Sequence, residues 1–167
     1  NDYNEAFKYA QNNYVGDPGV LAVCTRLARN CRAPIIEAGS GLSSVFMAAV
    51  TDSPVYTLEH VEHYAAQTKA WAEEADTPNV GICCAPLKDF WYDLDVFDLP
   101  SKFALGFCDG PPRFFGTRAR FFEHIAPRCT ALLIDDVNTD HNYLRSVHEW
   151  AAAHDRAVTI LGRTALI

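Results

Sequence analysis

The feature that most constrains this chain is a regular alternation between two hydrophobic periods. Short continuous apolar runs occur at residues 33–37 (APIIE), 55–59 (VYTLE), 80–85 (VGICCA), 103–108 (FALGFC) and 131–134 (ALLI). Runs this short and uniform suit strands buried on both faces, as in a parallel sheet. Between them the period lengthens to that of a helix. Asp17-Pro18 joins an N-cap to a proline at the first helical position, and Val20, Val23, Cys24, Leu27 and Cys31 follow on one face. Val61, Tyr64, Ala65, Thr68, Trp71, Ala72 and Ala75 form a second stripe. Phe115, Ala119, Phe122, Ile125 and Ala126 form a third, ended near Pro127. Tyr143, Leu144, Val147, Trp150, Ala151 and His154 form a fourth, with Thr139 or Asp140 as cap. Residues 42–50 are apolar nearly all round and predict a buried helix. The last two runs, 157–161 and 164–167, are joined by Gly162-Arg163 and predict a terminal hairpin. The order is therefore one helix, about five βα units and a hairpin. Right-handed βα units give a sheet with helices on both faces.

At 167 residues, the chain has room for one domain. The expected division is a helical segment, 1–31, ahead of a sheet-and-helix unit, 32–167. Charge narrows the partners. Lys and Arg total 14 against 21 Asp and Glu, a formal charge of −7. That balance argues against nucleic acid or an anionic membrane as the partner. No apolar run is long enough to span a bilayer. The first ten residues are polar and carry no signal-peptide pattern, so the expected location is cytoplasmic. The chain starts at Asn rather than Met, consistent with a trimmed chain or a fragment of a longer protein. Six cysteines form no CxxC pair, and the vicinal Cys83-Cys84 would make a strained disulfide. They read as buried, reduced thiols.

In open α/β sheets, ligands bind at the carboxyl ends of the strands near the switch point. After the first strand comes Glu37-Ala38-Gly39-Ser40-Gly41-Leu42-Ser43-Ser44. Two glycines allow a tight turn and close ligand approach, and the next helix offers free N–H groups. Glu59, 18 residues beyond Gly41, ends the second strand and can accept both hydroxyls of a ribose. Together the two features make an adenosine signature. A pyrophosphate site usually has a third Gly or Ala where this chain has Ser44, and Glu37 beside the turn would repel phosphate but attract a cation. S-adenosylmethionine, with its sulfonium and ammonium groups, fits better than NAD.

The segments Ile35 to Ser44, Leu58-Glu59-His60, Asp109-Gly110-Pro111-Pro112 and Leu133-Ile134-Asp135-Asp136 together resemble the class I S-adenosylmethionine-dependent methyltransferases. The similarity is greatest to small members with E-x-G-S-G-x-S, DGPP and DD patterns, and it covers roughly residues 32–167. It implies a Rossmann-like three-layer sandwich with a mostly parallel seven-stranded sheet whose last strand runs antiparallel. It implies that Gly39, Ser40, Gly41 and Ser43 lie against the methionine part of the cofactor, with Glu37 on the ammonium side. It also implies that Glu59 holds the ribose, that His60 borders the adenine, and that Asp109 faces the methyl-donor cleft. The segment Ala85-Pro86-Leu87-Lys88-Asp89 lacks the usual acid directly after the third strand, so Leu87 makes an apolar contact with the adenine edge.

Asp109, Asp135, Asp136, Asn138 and Asp140 come from two adjacent strand ends. Three uses stay open. Asp109, Asp135 and Asp136 could hold Mg²⁺, as in the catechol-type O-methyltransferases that the pattern partly resembles. Asp136 could cap a turn or bind a substrate hydroxyl. Asp136 or His141 could act as general base. Arg113, Arg118 and Arg120 form a basic cluster, and Arg118 is the candidate for an acceptor carboxylate or phosphate. Trp91, beside Tyr92, is a candidate wall for the acceptor. Tyr3, Phe7, Tyr9 and Tyr14 read as a lid over the cofactor or as packing.

The expected activity is methyl transfer to a small-molecule acceptor, at oxygen because of the acid cluster. So little chain lies outside the cofactor-binding sheet that a small acceptor, or a pocket completed by a second subunit in a homodimer, is expected. Two alternatives remain: an NAD(P)-dependent oxidoreductase, and a non-catalytic methyltransferase-like binding domain.

Overall fold

The computed structural model of the protein describes residues 17–111 and 118–167. Helix α1 (Pro18–Ala28) is followed by β1 (Ile35–Ala38), α2 (Leu42–Ala48), β2 (Val55–Glu59), α3 (Glu62–Glu74) and β3 (Val80–Cys84). A short hairpin, β4 (Leu87–Lys88) and β5 (Trp91–Tyr92), precedes β6 (Phe103–Cys108). Then come α4 (Ala119–His124), β7 (Cys129–Ile134), α5 (His141–Ala153), β8 (Thr159–Leu161) and β9 (Thr164–Leu166).

Seven strands form one sheet in the order β3-β2-β1-β6-β7-β9-β8. β1 pairs parallel with both β2 and β6, which sets Glu37 between Thr57 and Phe107. β9 pairs antiparallel with β7 and with β8. The mostly parallel sheet with an antiparallel last strand is thus present, and Gly162, with φ 62°, makes the hairpin turn before it.

Successive residues of a strand point to opposite faces, and here both faces are covered. Ile35, Val55, Leu105 and Leu133 pack with Val20, Cys24 and Met47 under α1 and α2. Ile36, Leu58, Leu132 and Ile134 pack with Phe121, Phe122, Val147 and Ala151 under α4 and α5. Two-sided burial is what makes the strand sequences continuous apolar runs. The edge strands are the exception: β3 is half-buried and β8 is exposed, because each has a neighbour on one side only.

The caps follow from local chemistry. Asp17 accepts a hydrogen bond from the Gly19 N–H at 2.7 Å, with Pro18 in the first turn. Asp140, not Thr139, caps α5 and accepts from the Asn142 N–H at 2.8 Å. One expected unit differs. β3 is followed by the hairpin and a 3-10 turn at Leu94–Val96 instead of an α-helix. That connection carries Pro86, Pro100 and four aspartates, residue types that favour turns over helix interiors. All six cysteines are free. No helix among the described residues is long and apolar enough to cross a membrane. Tyr3, Phe7, Tyr9, Tyr14, Arg113 and Phe115 lie outside the described residues.

Candidate active site at the strand ends

The chain leaves β1 toward β2 and leaves β6 toward β7, so a crevice opens between the carboxyl ends of β1 and β6. Two glycines meet there. Gly39 has φ 96°, and a Cβ on it would stand 3.0 Å from the Gly110 nitrogen. A Cβ on Gly110 would stand 2.8 Å from the Gly39 Cα. Neither position accepts a side chain without moving backbone. Gly41 is different, since a Cβ there would meet no described atom within 4 Å. Its bareness is not required by packing, and it opens onto a pocket of about 290 Å³. Ser40, Gly41, Ser43 and Asp109 line that pocket, together with Val20 from α1 and Tyr64, Gln67 and Trp71 from α3. The pocket therefore joins the glycine turn to Asp109. Gly39, Glu59, His60 and Leu87 are not part of its lining.

Glu37 is completely buried below the turn. The Ser43 and Ser44 hydroxyls donate to its two carboxylate oxygens, and Ser44 Oγ accepts from the Gly41 N–H at 3.3 Å. Burial pushes the Glu37 carboxyl up from its ordinary 4.5 to about 8, against the pull of the serines, and Asp109 pushes the same way. The folded state thus holds this proton more tightly than the unfolded chain. Its stabilising effect is complete below about pH 4.5 and is lost as pH rises through about 8. We expect the melting temperature to fall between about pH 5 and pH 8, and Glu37→Gln to flatten the fall. Equal slopes in thermal melts of the two proteins would refute this assignment.

Glu59, 4% exposed, ties the end of β2 to the glycine turn. Its Oε2 accepts from the Ser40 N–H at 3.2 Å and the Ser40 hydroxyl at 2.8 Å. Its Oε1 accepts from the His60 and Val61 N–H groups at 2.7 and 2.9 Å, at the start of α3. Thr68 of α3 donates to Ser40 Oγ at 3.1 Å. His60 Nδ1 lies 3.2 Å from Glu59 Oε1 but makes no hydrogen bond. Leu87 is half-buried on β4 and packs against the α4/α5-side core.

The acids at the ends of β6 and β7 do converge. The carboxylates of Asp109, Asp135 and Asp136 lie within 4.8 Å of one another. Two guanidiniums, however, already serve them. Arg163, from the β8–β9 turn, donates to Asp135 Oδ1 at 3.0 Å and also to Asp136 Oδ1. Arg118, 6% exposed, lies 3.5 Å from Asp109 Oδ1 and 3.5 Å from Asp136 Oδ2. It also donates to the Asp109, Asp135 and Pro111 carbonyls at 2.6, 3.1 and 3.4 Å. A divalent cation wants a shell of oxygens free of competing positive charge. This donor set does not fit Mg²⁺.

The same contacts bear on the other candidates. Most of Arg118's donor capacity is engaged by the protein itself, which leaves little of it for an acceptor anion. Arg120 is exposed and pairs with Glu123 at 3.5 Å. Asp136 has φ 62°, a left-handed conformation that Asp tolerates better than most residues. Asp109 remains half-exposed beside the pocket. Burial and the neighbouring Asp135 hold its carboxyl above the usual carboxylate range, against the pull of Arg118. Asn138 and His141 are exposed at the start of α5, and His141 is not part of the acid cluster. Trp91 is 4% exposed and packs against Phe121 and His124 at ring distances of 6.5 and 6.4 Å. Sequence reasoning missed Arg163, the Ser44–Glu37 bond and the α3 wall. The α3 stripe concealed that wall, since Tyr64 on it is 49% exposed and lines the pocket rather than the core.

No family model matches the sequence, and no curated protein does. Solved structures do match by fold. An O-methyltransferase from Bacillus cereus in complex with SAH superposes with a TM-score of 0.71 at 18% identity, covering 98% of this chain and 89% of that one. A precorrin-6y C5,15-methyltransferase from Geobacter metallireducens gives 0.71 at 16% identity, covering 93% and 88%. A putative caffeoyl-CoA O-methyltransferase from Staphylococcus aureus gives 0.67 at 17% identity, covering 99% and 91%. Over nearly its whole length, the chain has the class I fold of these methyltransferases.

Proposed function

We propose that the protein is an S-adenosylmethionine-dependent methyltransferase that acts on an oxygen of a small molecule. The observation that carries this reading is the crevice at the β1 and β6 ends. There a bare Gly41 opens onto the pocket, and Glu59 is tied directly to the glycine turn. Its support from outside is the Bacillus cereus O-methyltransferase, a protein of the same fold in complex with SAH.

When bound, S-adenosylmethionine would supply a sulfonium methyl for the acceptor oxygen and leave as S-adenosylhomocysteine. The chain's own residues bind and align. Glu59 would take the ribose hydroxyls in place of its Ser40 hydrogen bonds, and His60 and Leu87 would border the adenine. Gly39, Ser40, Gly41 and Ser43 bed the amino-acid end. Glu37 acts through the two serine hydroxyls it holds. Asp109 takes the proton of the acceptor hydroxyl, helped by a carboxyl held above its ordinary range. Asp136 and Asp135 hold Arg118 and Arg163 rather than a metal, while Trp91, packed against Phe121 and His124, does not line the pocket. His141 has no assigned step. Alignment and exclusion of water supply most of the rate.

Calorimetry with S-adenosylhomocysteine and with NADH tests the cofactor. Heat with the first and none with the second is expected, and the reverse pattern would overturn the reading. Turnover across a panel of hydroxylated acceptors should survive EDTA unchanged. Activity lost to the chelator and restored by Mg²⁺ would overturn the metal-free assignment.

A further inference from the structure

The β4–β5 hairpin has a two-residue turn, Asp89-Phe90, between Lys88 and Trp91. Both turn residues have positive φ, 51° and 64°, and neither is glycine. This conformation is unfavourable for Phe, and the tip is exposed. The hairpin nevertheless presses Trp91 and Tyr92 into the protein, where they are 4% and 3% exposed. The Tyr92 hydroxyl reaches the crevice itself. It stands so close to Gly110 that a Cβ there would come within 2.7 Å of it. Among the described residues, this hydroxyl has no hydrogen-bond partner. The same holds for Trp91 Nε1 and His60 Nδ1. Their rings lie 5.1 and 6.1 Å from the Tyr92 ring; His60 Nδ1 faces Glu59 Oε1 at 3.2 Å, which leaves Trp91 Nε1 and the Tyr92 hydroxyl as two buried polar atoms on one wall with no partner.

Buried polar groups are nearly always paired, because leaving one unpaired costs stability. Phe at position 92 would fill the same space without that cost. A hydroxyl kept here points to a partner that arrives with a ligand. We infer that Tyr92 is a ligand-binding residue, whose hydroxyl hydrogen-bonds the nucleoside part of the S-adenosyl ligand in the Gly39–Gly110 crevice. The inference rests on the methyltransferase reading and adds a contact to it. The nucleoside part is favoured because His60 and Glu59, at the end of β2, lie on the same side. The hydroxyl is buried on the Gly110 side of the crevice, and the ligand meets it there.

Tyr92→Phe tests this by two measurements, a thermal melt of the protein alone and calorimetry with S-adenosylhomocysteine. The expected result has opposite signs. The variant melts at or above the parent temperature, while its affinity for S-adenosylhomocysteine falls about tenfold. Unchanged affinity overturns the inference, whichever way the melt moves. Weaker affinity together with a large drop in melting temperature also overturns it, because the hydroxyl would then serve the fold. No heat with the parent protein sinks the methyltransferase reading, and this inference with it. The parent trace alone tells that failure from the others.

Discussion

Arg118→Ala is expected to melt on the order of 10 °C below the parent protein. Arg118 is buried, and its guanidinium bridges the Asp109, Asp135 and Pro111 carbonyls and lies 3.5 Å from the Asp109 and Asp136 carboxylates. Truncation leaves those carbonyls without a donor and removes one of two positive charges from three converging acids. Breaking one partner out of a buried ionic network costs about 3–5 kcal/mol. For a domain of this size, each kcal/mol is worth roughly 2–4 °C. Arg118→Lys should recover only part of the loss, because an ammonium cannot span carbonyls on several sides as the planar fork does. Thermal melts of both variants check this. A melt within about 2 °C of the parent, coupled to weaker binding of an anionic acceptor, would make Arg118 a substrate anchor instead.

Glu59→Ala should weaken S-adenosylhomocysteine binding by about 1–3 kcal/mol, roughly five- to 150-fold. Two effects are mixed in that variant. The carboxylate is the ribose acceptor in the proposed function, and it also clamps Ser40 and the His60 and Val61 N–H groups just ahead of α3. Losing hydrogen bonds of this kind costs about 1 kcal/mol or more on its own. Glu59→Gln separates the two. An amide keeps one oxygen for the α3 end but presents an N–H₂ toward Ser40 and the ribose, so it should fold nearly as well and still bind about tenfold more weakly. Calorimetry beside a thermal melt reads both effects. Parent-like affinity in both variants would remove Glu59 from the site.

Much of the frame was legible because it depends on local periodicity. Ile35-Ile36 and Leu132-Leu133-Ile134 read as strand because adjacent side chains go to two different cores. The terminal hairpin read correctly because Gly162 permits the turn. The glycine turn was legible from Gly39, which cannot carry a side chain where β1 passes Gly110. The β4–β5 hairpin was not legible. Strands of two residues have no period to detect, and Asp89-Phe90 is not a sequence that announces a left-handed turn. The α3 stripe misled because an aromatic that faces a pocket has the same helical spacing as one that faces a core.

The charged site divides along the same line. The sequence by itself determined the layers, the glycine turn, the acid at the end of β2 and the presence of acids at the ends of β6 and β7. These follow from residue type and spacing within a few turns of chain. Only the tertiary structure decided which charges meet. Arg163 reaches the Asp135 carboxylate across 28 residues of sequence, and Arg118 reaches the Asp136 carboxylate at 3.5 Å. Those two contacts turn a plausible metal site into an ion-paired network. Burial holds the Asp109 carboxyl above its ordinary range while Arg118 pulls it back. Electrostatic energy depends on distance through space and on desolvation, and neither is written in the order of residues.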